Sequence, residues 1–120
     1  MGTLETVKTY IAAWNEPDAA KRKPLIDACW GDEGRYCDPQ ADVTGRAALD
    51  ATIAAMHAQA PGATIDLISG IDQHHDQIRF AWAFRTADGN VPIRGIDVGE
   101  VAPDGRLARI VGFWGEPPAA

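Results

Sequence analysis

The sequence predicts an α+β fold in which three N-terminal helices lie in the hollow of a strongly curved antiparallel sheet. Two periodicities predict it. Apolar residues recur at three- and four-residue spacing through the first half of the chain and alternate with polar ones through the second. A third observation supplies the curvature: Gly95, Gly99 and Gly112 fall inside predicted strands, where a sheet can bend or bulge.

The first helix is expected over Thr3 to Asn15, with Leu4, Val7, Tyr10, Ile11 and Trp14 on its inner stripe and Thr3 as its cap. The turn residues Asn15-Glu16-Pro17-Asp18 stop it. The second helix covers Asp18 to Cys29, with Leu25, Ile26 and Cys29 inward, and Pro24 is expected to kink or restart it. Arg35 to Cys37 suit a brief strand that Pro39 ends. Thr44 can cap a third helix, Gly45 to Ala60, whose stripe is Leu49, Ile53 and Met56, and Pro61-Gly62 closes it. Four strands follow. Ala63 to Asp72 comes first, and a polar turn carries His74 and His75 into Gln77 to Ala87. There Ile78, Phe80, Trp82 and Phe84 share one face and Arg79, Ala81, Ala83 and Arg85 the other. Asp88-Gly89-Asn90 is a hairpin turn into Val91 to Val101, and Pro103-Asp104-Gly105 turns the chain into Leu107 to Gly115. No repeat or linker interrupts this pattern, so residues 1–120 are expected to form one domain.

Composition narrows the functional classes. Seventeen acidic against eleven basic residues give a net charge of −6, which argues against nucleic acid and anionic membranes as partners. No apolar run approaches the roughly 20 residues that span a bilayer, and Met1 to Tyr10 lacks a signal-peptide core. Cys29 and Cys37 are the only cysteines and form no metal-binding spacing, so no metal site is expected. They read as reduced, half-buried thiols of a cytoplasmic protein.

Three residues carry possible chemistry. Asp97 shares its strand face with Ile93, Gly95, Gly99 and Val101, and Arg94 points the other way. A carboxyl in a dry pocket without a cation has a raised pKa and can stay protonated as a donor; an aspartate bonded to a turn at a sheet edge fits the same pattern. Tyr10 lies on an inner helical stripe, where a tyrosine more often packs than reacts. Asp38, before Pro39, reads alone as a turn aspartate. Trp14, Trp30, Trp82 and Trp114 fall on inner faces, as do Met56, Phe80 and Phe84, and these residues suit either a core or a pocket for a flat apolar ligand. His57, on the third helix, is read as a helix-end residue; inside the pocket it would favour dehydratase or cyclase chemistry.

Taken together, Tyr10-Ile11-Ala12-Ala13, Tyr36-Cys37-Asp38-Pro39, Gly45-Arg46, Gly95-Ile96-Asp97-Val98, Asp104-Gly105-Arg106-Leu107 and Phe113-Trp114 resemble the SnoaL-like and ketosteroid isomerase-like branch of the nuclear-transport-factor-2-like superfamily. The resemblance runs over nearly the whole chain and implies a cystatin-like roll, a cone of mixed, mainly antiparallel sheet around the helices. It also implies roles. Asp38 would be the base that moves a proton between the α and γ carbons of an unsaturated ketone. Tyr10 and a protonated Asp97 would donate hydrogen bonds to the dienolate oxygen, and Trp114 would line the pocket. No cofactor is implied, the substrate would be an apolar small molecule, and two copies would pair through the sheet. The family's additional tyrosines, which bond the catalytic one, are replaced here by Trp30 and Ile53, and the link from Tyr10 to Asp38 is longer. A ligand-binding dimer without catalysis, or a dehydratase, cyclase or epoxide hydrolase, fits the same fold.

Overall fold

The computed structural model describes residues 1–120 as three helices and a curled, open sheet of seven strands. The helices are α1 (Thr3–Asn15), α2 (Ala19–Cys29) and α3 (Arg46–Gln59). The strands are β1 (Trp30–Asp38), β2 (Ala41–Thr44), β3 (Thr64–Leu67), β4 (Asp72–His74), β5 (Gln77–Arg85), β6 (Ile93–Val101) and β7 (Leu107–Trp114). The sheet order is β2-β1-β7-β6-β5-β3, with β4 also on β5. The β1–β7 pair is parallel and every other pair antiparallel, so the sheet is mixed. No helix is long and apolar enough to cross a membrane.

The two periodicities place the core as expected. Val7, Tyr10, Ala13 and Trp14 from α1, Ile26 and Cys29 from α2, and Leu49 and Ile53 from α3 pack with Ile78, Phe80, Trp82, Leu107 and Ile110 of the sheet. Several local expectations are corrected. Leu4 is exposed. Thr3 does not cap α1; Gly2 holds that position without a side-chain bond, and buried Thr6 turns inward to donate to the Gly105 carbonyl at 3.2 Å. Thr44 does not cap α3, because Gly45 takes that place at φ 99°, a conformation that favours glycine. Helix α2 runs unbroken through Pro24. The proline gives up one backbone bond. Flanking contacts offset it: the Asp18 side chain accepts from Ala20 N, and the buried Arg22 bonds Asp50 Oδ1 at 2.6 Å and the Glu16 carbonyl at 2.7 Å.

Strand β1 is far longer than Arg35 to Cys37, and its hairpin partner β2 was not anticipated. The pattern is hidden because β1 is interrupted: its register against β7 shifts between Trp30 and Arg35. In that bulge the Trp30 indole lies on Gly34 and donates to its carbonyl at 3.2 Å. The strand expected over Ala63 to Asp72 is only β3, Thr64–Leu67; β4 lies almost wholly in the expected polar turn, which tightens to a positive φ at His75. Strand β6 opens at Ile93 rather than Val91, past Pro92, which has no N–H for the ladder.

The strand glycines serve close approach. The β6–β7 irregularity lies between Glu100 and Val101, not at Gly95, Gly99 or Gly112. A Cβ at Gly95 would stand 2.4 Å from both the Phe113 carbonyl and Trp82 Cζ2, so the Trp82 indole occupies the space that glycine leaves. Gly95→Ala is therefore expected to cost about 1–3 kcal/mol by overpacking, whereas Gly70→Ala, with nothing within 4 Å, is neutral or slightly stabilising. Urea denaturation of the two variants checks this, and equal stabilities would refute it.

Candidate functional site

A cavity of about 670 Å³ lies between α1, α3 and the inner face of the sheet. Tyr10, Ile11 and Trp14 enter it from α1; Ala48, Ala51, Thr52, Ala55, Met56 and Gln59 from α3; Tyr36 and Asp38 from β1; and Trp82, Phe84, Asp97 and Trp114 from β5 to β7. The lining is mostly apolar and contains two carboxyls but no lysine, arginine or histidine.

The period of two along β6 turns Asp97 inward, where it is only 6% exposed. Opposite it on β7 is Gly112. A Cβ there would lie 2.9 Å from Asp97 Oδ1 and 3.6 Å from Asp38 Cβ, so the glycine is the gap between the two acids. Asp97 Oδ1 accepts a hydrogen bond from Trp82 Nε1 at 2.9 Å; Oδ2 has no partner in the protein. Burial pushes this carboxyl up to about 7, the Trp82 bond pulls it back, and the charge of Asp38 adds to the rise. The pocket reading of Asp97, not the sheet-edge reading, is the one observed.

Asp38 occupies the opposite situation. Its Oδ1 accepts from the backbone N–H of Gln40 and of Ala41, each at 2.8 Å, and its Oδ2 accepts from Tyr36 Oη at 2.6 Å. The turn reading of Asp38 is thus correct as geometry, and the same carboxylate also faces the cavity. An ionised carboxylate offers about four acceptor positions. Three are filled, which leaves one on Oδ2 to receive a proton.

Two phenols complete the polar set. Tyr36 is held neutral: burial raises it most, and the bond to Asp38 and the nearby charges add to this. Tyr10 is raised well above the ordinary tyrosine range, first by burial and then by Asp97 and Tyr36. Its hydroxyl forms no hydrogen bond within the protein. Sequence reasoning missed Tyr36, although its spacing of two from Asp38 on one strand was the available signal.

Of the residues expected to line a pocket, Trp14, Met56, Trp82, Phe84 and Trp114 reach the cavity. Trp30 and Phe80 do not, which corrects their assignment. Trp30 is fully buried by its bulge and stacks on the Tyr10 ring at 5.7 Å and 17°. Phe80 is closed inside the core, two residues along β5 from Trp82. His57 stays outside the cavity: its Nε2 lies 2.8 Å from the Trp14 carbonyl, which can only accept, so Nε2 carries the proton.

The profile of the SnoaL-like domain matches residues 7–110. A SnoaL-like family protein from Agrobacterium tumefaciens strain C58, provisionally called an isomerase, is 34% identical with a TM-score of 0.88, over 94% of this chain and 97% of that one. A protein of cystatin-like fold from Methylobium petroleophilum PM1 is 21% identical with a TM-score of 0.78, over 98% of this chain and 78% of that one. One of ketosteroid isomerase-like fold from Catenulispora acidiphila is 14% identical with a TM-score of 0.72, over 90% and 83%. At these lower identities the likeness speaks for the fold alone. No curated protein matches the sequence.

The Asp97 environment has a consequence for stability. Its carboxyl holds a proton more tightly in the native protein than in the unfolded chain. Stability therefore falls as pH climbs from the ordinary value of 3.8 towards about 7 and levels off above. Asp97→Asn should stabilise the protein by a few kcal/mol at pH 8, on the order of 4 for a shift of this size, and by only about 0.5 kcal/mol at pH 4. Urea denaturation at both pH values measures it; the same gain at each would refute the buried-acid account.

Proposed function

The chain belongs to the SnoaL-like family, and from that premise we propose that it is a cofactor-independent enzyme that moves a proton at carbon beside the carbonyl of an apolar ketone. The reading rests on one observation: a single apolar cavity holds two carboxyls whose surroundings differ sharply, one supplied with three donors and one nearly dry. Such divergence separates a base from an acid.

In this reading Asp38 is ionised and takes the α proton on its free Oδ2 position. The C–H electron pair becomes the carbon–carbon double bond of the enolate, the C=O π pair moves onto oxygen, and negative charge gathers there. Tyr10 Oη–H and the protonated Oδ2 of Asp97 donate to that oxygen. Both donors are preorganised in an apolar site, so they favour the charged transition state over the neutral ketone. Asp38 then returns the proton to the same carbon or, in an unsaturated ketone, to the γ carbon. The isomerisation balances with no co-reactant. Tyr36 keeps Asp38 aimed at the cavity, Trp82 keeps Asp97 in place, and Trp14, Met56, Phe84 and Trp114 form the walls.

Epoxide hydrolysis, in which an arginine would pair with Asp97, is the weaker reading, because the partner of Asp97 is an indole and no cation lines the cavity. Cyclisation of a ketone-bearing chain uses the same enolate and remains within the proposal.

The working unit in this proposal is a cytoplasmic homodimer joined through the outer face of the sheet. Ala81, Ile96 and Phe113 stand in register across β5, β6 and β7, and Ile96 and Phe113 are 41% and 63% exposed. Arg79 and Arg85 beside them are neutralised by Asp72 and Asp66.

Three measurements test these proposals. 2-Naphthol, a mimic of the dienolate, should bind the wild type and lose roughly tenfold in affinity with Tyr10→Phe or with Asp97→Asn. Asp38→Asn should slow deuterium exchange into a neutral cyclic enone by about 10²–10⁴. Binding indifferent to both donor substitutions would sink the oxyanion assignment. Separately, Phe113→Lys should convert a dimer into a monomer in sedimentation without changing naphthol binding per chain; a monomeric wild type would refute the interface.

A further inference from the structure

Trp14 Nε1 is the one buried side-chain polar atom of the protein without a hydrogen-bond partner. A buried donor left unmade bears the full cost of its desolvation, so such an atom asks for an explanation. The indole sits one helical turn beyond Tyr10 on α1, and the rings meet edge to face at 6.5 Å and 74°. The hydroxyl of Tyr10, which lines the cavity, meets no partner at hydrogen-bonding geometry, whereas Tyr36, Asp38, Asp97 and Trp82 all have one.

Resting on the functional reading above, we propose that Trp14 is a positioning residue for Tyr10: when Tyr10 turns its proton onto the ligand oxygen, its own oxygen accepts from Trp14 Nε1. Three observations carry this. Nε1 is closed off from the cavity's solvent, so a ligand does not reach it and its acceptor must belong to the protein. Trp14 is held in place: its ring is buried between those of Tyr10 and Tyr36, its carbonyl accepts from His57, and the next residue, Asn15, is bonded both to Ile65 N at 2.6 Å and to the Ile65 carbonyl at 2.8 Å. The indole on the other face of Tyr10 cannot substitute, since the N–H of Trp30 is already committed to Gly34. In agreement, the Trp14 N–H eases the Tyr10 phenol downward against the burial that raises it.

A phenol that donates a proton becomes a better acceptor, and a donor behind it spreads the charge arriving from the ligand. Trp14 would thus supply, from the same helix as Tyr10, the support that tyrosines at positions 30 and 53 would otherwise give.

The test is a double-mutant cycle read by 2-naphthol affinity. Trp14→Phe should weaken binding roughly tenfold when Tyr10 is present and by little in a Tyr10→Phe background. Replacing Trp14 with 3-benzothienylalanine, which keeps the shape and puts sulfur where the N–H was, should reproduce the loss without disturbing the packing. Equal losses with and without Tyr10, or full affinity with the benzothienyl side chain, would make Trp14 a wall and overturn its positioning role alone. A wild type that binds no naphthol would overturn the functional reading and this inference with it.

Discussion

The burial of Asp97 beside no cation is the constraint around which the site is arranged. Taking an ionised carboxylate out of water is costly unless opposite charge or several donors replace its hydration. Here one indole N–H is all that the protein offers. The acid is consequently stable in this place as a neutral group through the acidic range, up to about 7. Its neighbours follow from that. Gly95 leaves room for the Trp82 indole, and Gly112 leaves room for the carboxyl itself. Asp38, only a glycine's breadth away, has the donors of its own turn and of Tyr36, so the two acids sit in opposite surroundings.

A second set of contacts fixes the helices relative to the sheet, and these run between residues far apart in sequence. Asn15 completes the hydrogen bonding of β3 as a neighbouring strand would, Thr6 reaches the β6–β7 turn, and Arg22 joins α2 to α3. Each uses a polar side chain at a position where periodicity alone would place either an apolar residue or solvent. They matter to the chemistry because Tyr10 and Trp14 are held only as accurately as α1 is held.

This division also explains what was legible beforehand. The apolar stripes of α1 and α3 and the alternation of β5 and β6 report burial directly, so the fold class, the inward turn of Asp97 and part of the aromatic lining were readable. The long β1 and its partner β2 were not, because a bulge with Trp30 folded onto Gly34 breaks the alternation that would have marked them. Trp30 itself shows the limit of such reasoning: an inward residue belongs to the core or to a cavity according to the packing of its neighbours, which one strand's pattern does not contain. Tyr36 was overlooked for a related reason, since its importance lies in one hydrogen bond to a residue two positions on.

The absence of lysine, arginine and histidine from the cavity wall acts as a filter. Most small molecules of a cell's central metabolism carry a phosphate or a carboxylate, and each would have to shed its hydration to enter a low-dielectric space that already holds Asp38. Under the proposed function such molecules would be disfavoured before shape is consulted. Under the proposed function, uncharged and largely apolar compounds are the ones that would enter at the lowest cost in desolvation, and the walls would need only to sort among them.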